Sequence, residues 1–82
     1  MAEKLSVKGL ALSIGILWAI AILLTGISAT FSTWGDKCVE LIGSMYIGYS
    51  ASIAGSIIGT VWGFIDGLIA GAVIAWLYNR FA

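Results

Sequence analysis

Histidine and proline are absent from this chain, cysteine occurs once, and only 10% of the residues are charged. Without histidine there is no imidazole for acid–base catalysis or metal ligation. A formal net charge of zero offers no basic surface to a nucleic acid. Cys38 is alone, so neither a disulfide framework nor a metal cluster can be built within one chain. Its ordinary reading is a half-buried loop residue, and its sharper one is a disulfide between two copies. The missing prolines remove the usual helix stops and leave glycines and polar clusters to punctuate the chain. No nucleophile stands beside a base, and no two carboxylates fall close together in the apolar stretches. The expectation is therefore a non-enzyme with no catalytic residue, cofactor, metal or nucleic-acid partner.

What the chain does have is apolar surface: 61% of its 82 residues are hydrophobic and its mean hydropathy is positive. A domain this small cannot hide that much surface from water. Membrane lipid is the expected solvent, and residues 1–82 are expected to form one all-α membrane domain.

From Leu10 to Phe31 no charged residue occurs, a run of roughly 33 Å as a helix, enough to cross the hydrocarbon layer. Lys4 and Lys8 ahead of it give the look of a secretory signal, but the run exceeds the usual apolar core of one, and a retained span is expected. The polar cluster Ser32 to Lys37, with Trp34 and Gly35, reads as a turn at the membrane surface. Beyond Asp36, a candidate cap, Cys38, Leu41, Ile42, Met45 and Tyr49 recur at steps of three and four. That spacing predicts a short amphipathic helix in the interface within 32–49, with Tyr46 and Tyr49 at headgroup depth. An irregular loop is the alternative. Residues 50–78 form the second expected span, longer than the bilayer core, anchored at its far end by Trp76 and Tyr78 as Trp34 anchors the turn. Lys4, Lys8 and Arg80 flank the termini while Lys37 alone marks the connection, which predicts that both termini face the cytoplasm.

Gly55, Gly59, Gly63, Gly67 and Gly71 stand at strict four-residue spacing in the second span, extended by Ala51 and Ala75. Each glycine weakens a helix by roughly 1 kcal/mol relative to alanine, so a second helix must lie against the row. This small-xxx-small pattern lets two backbones approach closely in lipid, and the expectation is a glycine-zipper helix that pairs with another copy or with a larger complex. Four residues turn a helix by about 400°, so the row drifts by about 40° per step.

Asp66 lies in the same span, about 18 Å by helical rise from Tyr78 and so near mid-bilayer. A carboxyl there is costly unless hydrogen-bonded, hydrated or neutralised, so it is expected to face a bundle interior. It shares a face with Gly55 and Gly59 to within about 20°, with Trp62 and Ala70 one turn either side. By depth, Thr25 is its expected partner in the same copy, and Ser56 and Thr60 of a neighbouring copy are the others. Asp66 either fixes helix register through hydrogen bonds or handles protons or cations along a hydrated path.

Tyr46, Gly48, Tyr49, Gly55, Ser56, Gly59, Trp62, Asp66, Gly67, Gly71 and the closing Ala75-Trp76-Leu77-Tyr78-Asn79 form a pattern that resembles a family of short two-span prokaryotic membrane proteins labelled bacteriophage holin, or membrane-associated protein. The resemblance implies self-association in the cytoplasmic membrane into a lesion or small pore. The chain departs from holins in lacking a highly charged C-terminal tail. It is also similar in length and layout to the proteolipid c subunit of rotary ATP synthases, which would imply proton or ion handling. There the glycines mark the first helix, whereas here they share the second with Asp66, and Gly35-Asp36-Lys37-Cys38 lacks the expected loop residues. A structural accessory subunit on the rim of a larger assembly is the alternative.

Overall fold

The computed structural model describes residues 4–82. Helix α1 spans Val7–Phe31, α2 spans Asp36–Gly43 and α3 spans Ile53–Phe81, so the fold is all-helical: two long antiparallel helices with a short one between them. Both long helices are apolar and long enough to cross a membrane.

Helix α1 begins at Val7, ahead of the expected Leu10, because the Ser6 side chain caps it by accepting from the Gly9 amide at 3.0 Å. At its other end Ser32 still donates its amide to Ser28, and the chain then leaves helical geometry. Gly35, at φ 86°, makes the reversal and occupies the cap position of α2, so Asp36 is the first helical residue rather than the cap. Helix α3 runs from Ile53 to Phe81, offset from the expected 50–78 because Ser52 is its cap, accepting from the Gly55 amide at 2.9 Å. Ala51 therefore lies outside the helix and is exposed, and it does not extend the glycine row.

Gly63, Gly67 and Gly71 pack against α1 of their own chain, while Gly55 and Gly59 lie under Ser50, Ser52 and Tyr49 of the connection. Gly55, Gly59, Gly63, Gly67, Gly71 and Ala75 are all buried, and α1 buries Ala11, Gly15, Ala19, Ile22, Gly26 and Ala29. The two backbones nearly touch at the end nearer the termini. A Cβ added to Gly67 would lie 2.6 Å from the Gly15 Cα, and one added to Gly71 would lie 2.6 Å from the Ala11 Cα. Close approach converts the helix-weakening glycines into continuous van der Waals contact. Within one chain, α1 and the connection cover this face. Leu5 and Asn79 close the hairpin with two hydrogen bonds, 2.7 and 2.9 Å, so the termini share one end.

The connection contains the expected short helix, α2. From Gly35, beside Thr25, it runs back along the two long helices. Val39, Tyr46 and Tyr49 join Ile22 and Ala29 in the core, while Leu41, Met45 and Ile47 remain exposed. After Gly43 the chain is irregular, with Gly48 at φ 93° making a second reversal against Ile58 before α3 starts.

Candidate functional site

The centre of α1 is Ala19 and the centre of α3 is Gly67, so Trp18 and Asp66 both sit at mid-length. The returning connection delivers the Tyr46 hydroxyl to this level. It donates to Asp66 Oδ2 at 2.6 Å and accepts from Trp18 Nε1 at 3.0 Å. The Tyr46 ring stacks on Trp62, centroids 6.0 Å apart and planes 11° from parallel, and Trp62 Nε1 donates to the Ile47 carbonyl at 2.9 Å. Two indoles, one phenol and one carboxyl thus tie all three segments of the fold together in its least polar zone.

Tyr46 and Tyr49, expected at headgroup depth, pack into the core of the hairpin. Both are buried, and Tyr49 donates its hydroxyl to the Ile22 carbonyl at 2.7 Å. Of the stripe that suggested an interfacial helix, only Ile42 and Tyr49 pack on the hairpin, joined by Val39 and Tyr46, while Cys38, Leu41 and Met45 are exposed. Trp34, Trp76 and Tyr78 are exposed near the ends, where the anchoring expectation put them, and the Arg80 guanidinium lies 6.0 Å from the Trp76 ring centre.

Asp66 is exposed, on the outer face of α3. The reason is the drift of the row. Gly55 and Gly59 share its angular position, but at its own level the row has wound on to Gly63 and Gly67, and Gly67 is turned about 100° from it. Within this chain the carboxyl therefore points away from the α1–α3 seam. Its second oxygen, Oδ1, has no hydrogen-bond partner among the described residues. It borders an open hollow of about 200 Å³ lined by Met45, Tyr46, Trp62, Ile65 and Ile69.

The other expected polar partners go elsewhere. Thr25 bonds the Ala21 carbonyl at 2.8 Å, Ser56 the Ser52 carbonyl at 2.6 Å and Thr60 the Ser56 carbonyl at 2.7 Å. Each satisfies its hydroxyl on its own chain, so these residues form no polar seam with Asp66. In antiparallel register Gly15 faces Gly67, which places Thr25 far above the carboxyl. Ser56 is fully buried at Gly26 and acts as one more small residue in the seam. Among the described residues no three potential metal-ligating side chains lie together.

Comparison with protein-family models, curated proteins and solved structures finds no match to this chain. The likeness to holin-labelled proteins thus rests on the sequence pattern alone.

Tyr46→Phe tests the cluster. The ring and its stacking stay, while Asp66 Oδ2 loses its donor and Trp18 Nε1 its acceptor. Unfolding in detergent micelles is expected to show a loss of about 1–3 kcal/mol. A variant as stable as the parent would show that the two hydrogen bonds of the hydroxyl contribute nothing to stability.

Proposed function

We propose that this chain is a two-span integral membrane protein that works by packing onto other membrane helices, as a small accessory subunit of a larger assembly. One observation carries the reading: a carboxyl oxygen without a partner faces outward halfway along an apolar hairpin, whose glycine row is already covered. Ionisable groups at such depth generally face protein or water rather than acyl chains, so another protein surface is the natural cover. The exterior suits lipid elsewhere, with Leu17, Leu24, Ile57 and Val61 all exposed. The shared end of the hairpin carries Lys4, Lys8 and Arg80, which favours a cytoplasmic side for both termini.

A holin-like, self-associating pore former is the second reading, favoured by the small residues on both sides of the α1–α3 seam. Contacts of that kind can be remade between copies if hairpins open and exchange α1 helices. Closed hairpins have no free glycine row to offer. Native mass spectrometry from nanodiscs separates the two. One copy in each large complex is expected, and a ladder of identical copies would replace the accessory reading with the holin-like one.

A further inference from the structure

We propose that the face formed by Met45, Trp62, Ile65, Asp66 and Ile69 docks a transmembrane helix of another protein that carries a lysine or arginine at the depth of Asp66. The inference rests on the accessory-subunit reading and adds the chemistry of the partner. Asp66 Oδ2 is held by Tyr46, which fixes the carboxyl at the border of the open hollow and leaves Oδ1 without a partner among the described residues. An acceptor fixed in that way calls for a donor.

Among the described residues of a second copy, no side chain at that level other than Asp66 itself has a donor to spare. The Trp18 indole is committed to Tyr46, the Tyr46 hydroxyl to Asp66, and the Trp62 indole to the Ile47 carbonyl. Thr60 and Ser13 bond carbonyls of their own helices. Lys4, Lys8 and Arg80 stand at the end where Leu5 meets Asn79, and Lys37 lies just past the Gly35 reversal. Two copies meeting here would set carboxyl against carboxyl. A foreign cationic side chain instead offers opposite charge and several N–H donors, and intramembrane ionisable groups characteristically pair in this way. The hollow has the form to take it, with the flexible Met45 and the Ile65 and Ile69 side chains as apolar walls for a long aliphatic stem.

The test uses the whole hairpin, labelled with a donor fluorophore at the exposed Cys38, in phosphatidylcholine vesicles. The probes are acceptor-labelled Leu/Ala transmembrane peptides with a single central lysine, or with leucine in its place. Energy transfer is expected to show at least about tenfold tighter association of the lysine peptide, lost in Asp66→Asn, which keeps an acceptor for Tyr46 but removes the charge. Equal binding of the two peptides would overturn the proposal, as would lysine-peptide binding that survives Asp66→Asn. Asp66-dependent transfer between hairpins themselves would overturn it in favour of a second copy. One copy per native complex together with no lysine preference would remove this inference alone. A native ladder of identical copies would remove the accessory reading beneath it.

Discussion

Replacing Gly67 with leucine is expected to separate α1 from α3. The nearest atoms to an added Cβ are main-chain atoms of α1, the Gly15 Cα at 2.6 Å and the Ile14 carbonyl oxygen at 2.9 Å, and no rotamer change can move them aside. Overpacking against adaptable side chains typically costs about 1–3 kcal/mol, and a clash of backbone on backbone should exceed that range because the whole seam must open. Gly71→Leu meets the same obstacle at Ala11 and Leu10. Gly63→Ala provides the contrast, since its Cβ would meet the Ile22 and Trp18 side chains at 3.0 and 3.3 Å, and these can shift. The expected order of stability is parent, Gly63→Ala, then Gly67→Leu and Gly71→Leu well below. Spin labels near Lys8 and Tyr78 should report a lengthened distance in the last two. The effect should not change on dilution, since the opposing helix belongs to the same chain. A loss that fades on dilution would mean that the row contacts another copy.

The two long apolar helices were legible because length and continuous hydrophobicity need no tertiary information. The glycine row was equally legible as a packing surface, since glycines at four-residue spacing make sense in a helix only beneath a close neighbour. Which neighbour was not legible. A periodic row of small residues is silent on whether the opposing helix precedes it in the same chain, although Ala11, Gly15, Ala19 and Gly26 gave α1 a matching stripe. The depth of the connection was hidden for a related reason. Residues packed on the hairpin and residues dipping into headgroups follow the same amphipathic period, and Tyr46 fits either place. A donor census offered the missing signal. Asp66 at mid-helix needs a proton donor, and the threonine and serine hydroxyls nearby satisfy themselves on their own helices. That leaves indoles and phenols, which is where its partner was found. The outward direction of Asp66 required the register, because the face of a drifting row is defined only level by level.

Tyr49→Ala is expected to release the connection from the hairpin. The ring lies in a slot that exists because Gly26 and Gly59 lack side chains: its atoms are the nearest neighbours of a Cβ added at Gly59 and come within 3.0 Å of one at Gly26. At 5% exposure it is among the largest side chains in the core, and its hydroxyl anchors to the Ile22 carbonyl. Truncating a buried aromatic costs about 3–5 kcal/mol, whereas Tyr49→Phe, which loses one hydrogen bond, should cost about 1 kcal/mol. Loss of the ring also frees Tyr46, whose own ring is 6.5 Å away, so amides from Gly43 to Ser52 should exchange faster with solvent while those of α1 and α3 keep their protection. Gly59→Ala should act on the same slot from the other side by driving the ring out. The two changes are therefore not independent: once the ring is gone, the methyl group introduced by Gly59→Ala enters vacated space. The double variant should be more stable than the sum of the single losses predicts, by about 1 kcal/mol or more. Strict additivity would mean that the tyrosine ring does not occupy the glycine slot, and that the connection is held to the hairpin by Val39 and the Tyr46 cluster instead.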